Sequence, residues 1–299
     1  MNVAPTDGIV LSNLGSVKEA SMVKIVTDST ADLSSEITQE LGITVVPLWV
    51  HFGTDAYRDR VDLTMEDFYR RLVTSKVFPT TSAPSPGAFA EAFDKLAEET
   101  DEILAVVIST KYSATYDSAL KGREERKRKD CRVELIDSLT TVMGLGLLAI
   151  AAAKEAQTGK SLDQMVDVVK KSMSKIHVRF TMDTLEYLRK GGRIGTAKAF
   201  LGTILHFKPI IGVINGYTEG VGRVRSRAKA TEYLIDFAKG FTNIRELAVG
   251  HTTTPEDALR LAESLAPVFP KERIYISRIG AVTGAHIGPG ALEVALLEG

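Results

Sequence analysis

EILAVVIST (residues 102–110) is the segment that best indicates the fold class of this chain, because its central residues are all apolar and hydroxyl residues follow them. A strand that is apolar on both faces is typical of a parallel sheet whose two sides are covered by helices. VKIVTDST (residues 23–30) and RVELIDS (residues 132–138) are predicted as further strands, and helical segments separate the three. Strands that alternate with helices predict an α/β domain with a parallel sheet.

The segments between these strands carry local signals for helix starts and stops. Thr64 is placed to cap a helix whose apolar residues fall on one face, and Gly42 is placed to end the helix before it. Pro86 stands in the first turn of another helix, where its missing N–H costs little. ITVVPLWV (residues 43–50) is predicted as one strand, in which Pro47 indicates a sheet edge or a bulge.

The second half of the chain has a different pattern. KPIIGVING and YTEGVGRVRS (residues 208–216 and 217–226) predict a hairpin that turns at Asn215–Gly216. A helix at residues 228–239 and another after Pro255 alternate with the predicted strands ELAVGH and RIYISRIG. This half is therefore also predicted to be an α/β domain.

The predicted domain boundary lies near Gly159. It gives an N-terminal domain over residues 22–158 and a C-terminal domain over residues 159–299. Met22 looks like a natural start, so residues 1–21 are predicted to be an extension or cloning remnant outside the fold. A length of 299 residues suits two ordinary domains better than one.

Composition excludes several classes of function. A formal net charge of −1 indicates no general attraction to nucleic acid or to an anionic membrane. The longest apolar run, GLGLLAIAAA (residues 144–153), is shorter than the roughly 20 residues that span a bilayer. A single cysteine, Cys131, excludes an internal disulfide. We therefore expect a cytoplasmic protein without stable membrane insertion.

Three clusters of hydroxyl residues lie where strands are predicted to end or a helix to begin. The clusters comprise Thr27, Ser29 and Thr30; Thr80, Thr81 and Ser82; and Ser109, Thr110, Ser113 and Thr115. Each hydroxyl alone could serve as a helix cap or turn residue. Because ligands bind beyond the carboxyl ends of strands in open parallel sheets, three clusters on one predicted rim favour a binding site.

The chemistry of these clusters predicts a weakly charged anion as ligand. Hydroxyls and backbone N–H groups at helix starts suit an oxyanion. The sequence contains no phosphate-binding loop of the form G-x-x-x-x-G-K-[ST] and no metal-ligand spacing of His, Cys and carboxylates. A carboxylate held by neutral donors fits this pattern, and no cofactor or metal is expected.

Several charged residues admit two interpretations. His286 lies in GAHIGPGAL, where flanking glycines permit close backbone approach, and it is either structural or functional. Arg193 follows a predicted helix end, and it either complements the helix dipole or faces a ligand. Asp28 and Asp32 are either an acid pair or caps of a local turn.

Five segments together resemble the DegV family of bacterial fatty-acid-binding proteins. They are KIVTDSTADL, PTTSAPSPG, STKYSATYDSA, LEYLRKGGRI and HIGPGAL, in that order from about residue 23 to the C-terminus. The resemblance implies an N-terminal three-layer domain with a parallel sheet and a C-terminal two-layer domain with a mixed sheet. A fatty acid would lie between them, with its acyl chain in an apolar tunnel.

The resemblance also implies roles for individual residues. The leading contacts to the carboxylate are Thr81 and Ser113, and His286 and Arg193 are further head-group residues. Close candidates for the same carboxylate are Ser82, Ser109 and Thr110. Arg225 is implied as a residue that docks a partner protein.

That implied partner is a separate fatty acid kinase, which forms acyl-phosphate from ATP for phospholipid synthesis. The chain itself would bind a long-chain fatty acid such as palmitate and would have no catalytic residue. Two rival readings stay open: a small-molecule kinase or hydrolase that uses Asp28 or His286, and a sensor of an apolar ligand. The chain also departs from the family pattern at Ser109–Thr110, Ala114 and Ala83, which leaves the ligand preference open.

Overall fold

The computed structural model describes residues 22–202 and 207–299. The predicted extension at residues 1–21 lies outside the described residues. In chain order the first half contains β1 (Lys24–Asp28), α1 (Ser35–Leu41), β2 (Ile43–Val46), β3 (Trp49–Phe52), β4 (Asp55–Arg58), α2 (Met65–Thr74), β5 (Thr80–Ser82), α3 (Pro86–Leu96), β6 (Glu102–Val107), α4 (Thr115–Glu125), β7 (Arg132–Asp137) and α5 (Val142–Ala156). The second half continues with α6 (Leu162–Met173), β8 (Ile176–Thr181), α7 (Glu186–Lys190), β9 (Lys208–Ile214), β10 (Tyr217–Val224), α8 (Arg227–Lys239), β11 (Ile244–His251), α9 (Pro255–Ser264), β12 (Ile274–Arg278), α10 (Ala281–Ile287) and β13 (Leu292–Glu298).

The predicted parallel sheet is confirmed, with strand order β2-β1-β6-β7 and parallel pairing throughout. Alternate residues of β6 face opposite sides. Ile103 and Ala105 pack with α3 and α4, whereas Leu104 and Val106 pack with α5 and α6. Because both faces are covered by helices, the strand is apolar at every central position. The sheet and its two helical layers form the expected three-layer arrangement.

The C-terminal half contains a mixed six-stranded sheet, with order β10-β9-β8-β13-β11-β12. Helices α8 and α9 cover one of its faces. Helix α5 packs against β8, β11 and β13 of this sheet and also against β1 and β6 of the parallel sheet. A helix that contacts protein on all sides is apolar all round, which explains the run GLGLLAIAAA.

The predicted division between residues 158 and 159 stays a prediction. Helix α6 follows that boundary in the sequence, and it packs against β6 and β7 of the parallel sheet. Its residues Leu162, Met165 and Val169 belong to the same buried cluster as α5. Within the described residues, the structure has no helix with the length and apolarity that a bilayer crossing requires.

A third sheet, antiparallel with order β4-β3-β5, differs from the predicted pattern. The predicted single strand at residues 43–50 is wrong, because the chain leaves the parallel sheet at Pro47 and starts β3 in the new sheet. Proline has no N–H for a sheet ladder, so the break falls where pairing would fail. Thr80–Ser82, expected to precede a helix, forms β5 on this sheet.

The predicted hairpin between β9 and β10 is confirmed. Asn215 and Gly216 both adopt positive φ, at 50° and 82°, as a two-residue hairpin turn requires. The hairpin tip touches the loop after β6, where Ser109 Oγ donates to the Gly216 carbonyl at 3.2 Å. This contact brings β10 beside the carboxyl end of the parallel sheet, where the hydroxyl clusters were predicted.

Candidate functional site

A cavity of about 260 Å³ lies between the carboxyl end of β6, strand β5, the β8–β9–β10 part of the mixed sheet and α10. Its volume is close to the lower end of the range for ligand pockets, about 300–1,000 Å³. The apolar part of its wall comprises Leu48, Ala83, Ile108, Ala114, Phe180, Leu188, Val213, Val282 and Ile287. The polar part comprises Thr30, Thr81, Ser82, Tyr112, Ser113, Thr141, Arg193, Thr218, Thr283 and His286.

The three predicted hydroxyl clusters converge on this one cavity. Thr30 follows β1, Thr81 and Ser82 lie on β5, and Ser113 precedes α4, and all four line the wall. The convergence joins residues that come from separate elements of the first half of the chain. The cavity therefore has hydroxyl groups beside apolar side chains.

The contact between Thr81 and His286 joins β5 to α10. His286 Nε2 lies 2.9 Å from Thr81 Oγ1 across a sequence separation of 205 residues. Burial, together with the nearby Arg193 charge, lowers the pKa of His286 to about 4. The imidazole is therefore neutral at pH 7, with one ring nitrogen protonated.

The surroundings of the other ring nitrogen determine the tautomer. Among the described residues, His286 Nδ1 is buried and has no hydrogen-bond partner. Gly191 packs directly against it, in a space that a Cβ would fill. A buried N–H without an acceptor is rarer than an unused lone pair, so we assign the proton to Nε2. Thr81 then accepts from His286, and its own hydroxyl proton is free to point into the cavity.

Ser113 and Arg193 complete the polar end of the cavity. Ser113 Oγ accepts from the Thr115 N–H at 3.3 Å and lies 2.8 Å from Thr115 Oγ1, which fixes it before the first turn of α4. Arg193 donates from Nε and Nη2 to the Tyr112 carbonyl at 3.2 and 3.0 Å, and from Nη1 to the Gly191 carbonyl at 2.7 Å. Among the described residues, no carboxylate forms a salt bridge with this guanidinium, so its charge can act on an anion in the cavity.

The structure does not bring Ser109 or Thr110 to the cavity wall. Ser109 is buried between the Gly216 carbonyl and the Lys111 N–H, at 3.2 and 3.1 Å. Thr110 Oγ1 is exposed and donates to Asp137 Oδ2 at 2.6 Å. Both hydroxyls hold the loop after β6 in place. Ser82 lines the wall, and its Oγ lies 2.9 Å from His51 Nε2.

Two other predicted residues lie away from the cavity. Asp28 is fully buried and accepts from the Thr30 N–H and the Ile108 N–H, at 2.9 and 2.7 Å. Burial raises its pKa to about 6. These bonds tie β1 to β6, as expected of a turn-capping carboxylate. Arg225 is exposed between β10 and the N-cap Ser226 of α8.

Sequence reasoning missed four residues of the polar wall, namely Tyr112, Thr141, Thr218 and Thr283. Thr218 lies on β10 and donates to the Tyr112 hydroxyl at 3.2 Å. Thr283 precedes His286 by three residues on α10, a spacing that places both on one helical face. That spacing is the one sequence signal that could have identified Thr283.

Comparison with known proteins adds a family to this geometry. A family model described as an uncharacterised protein of the DegV family matches residues 22–299. A DegV domain-containing protein of Deinococcus radiodurans is 36% identical over 278 residues, which are 92% of this chain and 98% of that protein. The similarity therefore spans all of the described structure.

Two solved structures share the fold over nearly their whole length. One is described as showing fatty acid binding of a DegV family protein from Thermus thermophilus; it has a TM-score of 0.85 and 33% identity, covering 93% of this chain and 99% of its own. The other is a stearic acid-binding protein from Eubacterium ventriosum, with a TM-score of 0.85, 28% identity and coverage of 93% and 98%.

Proposed function

This chain belongs to the DegV family, and on that premise we propose that it binds a long-chain fatty acid in the cavity. The carboxylate would lie against Thr81 and Ser113, and the acyl chain would lie along the apolar wall. The observation that carries this proposal is the combination, in one cavity, of converging hydroxyls with a set of apolar side chains. The fatty acid ligands of the Thermus and Eubacterium proteins support the same ligand class.

The tail and the head group of the ligand contribute differently to the free energy of binding. Burying about 14 methylenes at about 0.8 kcal/mol each contributes roughly 11 kcal/mol before ordering costs. The head group then chiefly needs orientation. Because His286 donates to Thr81, the Thr81 hydroxyl donates to the carboxylate, and Ser113 adds a second donor before the first turn of α4. Arg193 contributes a positive charge on the same side of the cavity.

The finer part of the proposal is presentation of the carboxylate to a separate fatty acid kinase in the cytoplasm. A carboxylate whose direct hydrogen bonds come from neutral hydroxyls stays nucleophilic, because the Arg193 guanidinium donates to backbone carbonyls and acts on it only through its charge. One of its oxygens would attack the γ-phosphoryl group of ATP, which forms the acyl-phosphate bond and releases ADP. The sequence has no phosphate-binding loop, so the kinase would supply ATP, magnesium ions and stabilisation of the transition state. The product would serve phospholipid synthesis.

The proposed ligand can be tested on the purified protein. We expect denaturing extraction followed by mass spectrometry to release straight-chain fatty acids at close to one per chain. Protein stripped of lipid should regain a one-to-one complex with palmitate in a calorimetric titration. A co-purifying nucleotide or sugar, together with no palmitate binding, would favour the rival enzyme reading.

The kinase step predicts a separable role for Arg225. The Arg225→Ala variant should keep its affinity for fatty acid, because this exposed side chain is not part of the cavity wall. It should slow acyl-phosphate formation by a fatty acid kinase about tenfold, as trapping with hydroxylamine would measure. Lys239→Ala, which removes an exposed cation at the far end of α8, is the matched control.

Two results would contradict the kinase step. Acyl-phosphate formed without any kinase, in proportion to this protein's concentration, would make the chain an enzyme. A loss of fatty acid binding in Arg225→Ala would assign Arg225 to the ligand site and away from the partner.

A further inference from the structure

Two buried carboxylates hold the first turn of α10, the helix that carries His286. The Gly280 N–H donates to Asp32 Oδ1 at 2.7 Å, and the Ala281 N–H donates to Asp59 Oδ1 at 2.9 Å. Asp32 and Asp59 are each 1% exposed. Gly280, the N-cap residue, has no side chain with which to cap the helix. The carboxylates therefore do for α10 what an N-cap side chain does elsewhere.

Arg60 joins Asp32 to the chain just before α10, and its charge also acts on Asp59. Its Nη2 lies 3.0 Å from Asp32 Oδ1, and the same nitrogen donates to the Arg278 carbonyl. Burial raises the pKa of Asp32 to about 7 and also raises that of Asp59, while Arg60 acts in the opposite direction on both. Buried carboxylates of this kind persist only with partners, so Asp32, Asp59 and Arg60 form one interdependent unit, here called the α10 clamp.

The space at Gly280 fits the α10 clamp. A Cβ on Gly280 would lie 2.9 Å from Asp32 Oδ1 and 3.1 Å from Asp59 Oδ2. The carboxyl group of Asp32, which comes after β1, and that of Asp59, which comes after β4, thus approach the same backbone position. Any side chain there would push them away from the helix.

The α10 clamp is linked to the sheet that presents Thr81. Asp59 follows β4, and its N–H donates to the Leu48 carbonyl at 2.8 Å, just before β3. On the other edge of β3, Val50 pairs with Thr81 of β5. The three-stranded sheet therefore carries Thr81 directly, and through Asp59 it also holds the start of the helix that carries His286.

We propose that Asp32, Asp59 and Arg60 are positioning residues that set His286 against Thr81 and so determine the preference of the cavity for a carboxylate head group. The inference rests on the proposed function. Helix α10 is only two turns long, so a displacement of its first turn reaches His286 with little loss. The clamp residues are absent from the cavity wall and act only through the helix.

The main test compares two ligands of one chain length, palmitate and hexadecanol. A general loss of structure weakens the binding of both ligands, whereas misplacement of His286 weakens only the binding of palmitate. We expect Asp59→Ala to lower the acid-over-alcohol affinity ratio at least tenfold. Asp59→Asn keeps an oxygen for the Ala281 N–H and should restore most of the ratio. Asp55→Ala, at the exposed start of β4, is the control and should change neither affinity.

Coupling to His286 separates this role from a local packing effect. In a His286→Ala background, Asp59→Ala should lower the ratio no further. Gly191→Ala, whose Cβ would overlap the His286 ring, should reproduce the Asp59→Ala ratio by moving the ring directly. Nitrogen NMR of ligand-free protein should show the Nε2-protonated ring in the parent chain and a mixed pattern in Asp59→Ala.

Each possible result of these experiments either supports or contradicts the positioning role of the α10 clamp. If Asp59→Ala fails to fold, Gly280→Ala displaces the same carboxylates without removing a charge and should give the same ratio and NMR change. Equal losses for palmitate and hexadecanol, or an unchanged His286 spectrum in the folded variant, would overturn the positioning role. A parent chain that binds neither ligand would refute the proposed function, and the NMR comparison would still decide the positioning of His286.

Discussion

Replacing Val213 by tryptophan is expected to weaken fatty acid binding strongly while the fold survives. Val213 lies on β9, is 8% exposed, and contributes to the apolar wall of the cavity. An indole in this space would displace part of the acyl chain. Losing about four methylenes at about 0.8 kcal/mol each removes roughly 3 kcal/mol, which corresponds to a loss of affinity of roughly 200-fold.

The measurement is a calorimetric titration with palmitate, alongside thermal unfolding of the same sample. Overpacking a core typically costs about 1–3 kcal/mol, so a modest fall in melting temperature is expected. Val61→Trp makes the same substitution at a side chain that is 57% exposed, and it should leave binding unchanged. Full affinity in Val213→Trp would show that the acyl chain lies outside this cavity.

The double variant Thr81→Ala with Ser113→Ala is expected to show the other large loss of affinity. Each hydrogen bond to a charged group contributes about 1.5–3 kcal/mol, so loss of both weakens carboxylate binding by roughly 10² to 10⁴-fold if the effects add. Thr81→Ala also leaves His286 Nε2 without its 2.9 Å partner. Binding of hexadecanol should fall much less, because the tail contacts remain.

The chain offers a matched control for this pair. Thr80 and Thr110 come from the same two motifs, but Thr80 is exposed and Thr110 donates to Asp137 at 2.6 Å. Thr80→Ala with Thr110→Ala removes two hydroxyls and should leave palmitate affinity within about twofold. A similar loss in both double variants would mean that the motifs act through loop structure and not through contact with the head group.

Much of the fold follows from local sequence. Thr64 caps α2 by accepting from the Asp67 N–H, and Gly42 ends α1 at a φ of 64°, both as predicted. Such features depend on neighbours within four residues, so propensity and pattern are sufficient. The uninterrupted apolar run of β6 likewise predicts a strand that is buried on both faces.

The predictions that failed concern contacts between residues that are far apart in the sequence. Residues 43–50 have the pattern of one strand, yet they divide at Pro47 between two sheets. Strand β5 is only three residues long, and it exists because His51, Val50 and Trp49 of β3 pair with it. No window of sequence contains both partners, so pattern alone does not predict that pairing.

In the site, too, neighbouring residues with the same side-chain chemistry differ in a way that the local sequence does not predict. Ser109, Thr110 and Ser113 carry the same chemical group within five positions, and the sequence treats all three as candidates. Only Ser113 lines the cavity. The other two hydroxyls are taken by Gly216 and Asp137, which are 107 and 27 residues away. Hydrogen bonds to distant partners decide which hydroxyl remains available.

Most of the helices, the parallel sheet and the hydroxyl chemistry of the site therefore follow from the sequence. The contact at 2.9 Å between Thr81 and His286, which are 205 residues apart, arises only when the chain folds. The physical reason is that helix caps, turns and apolar periodicity are local properties of the chain. The meeting of β5 and α10 instead depends on burial of α10 against α2 and β3, and on the two carboxylates that hold its first turn.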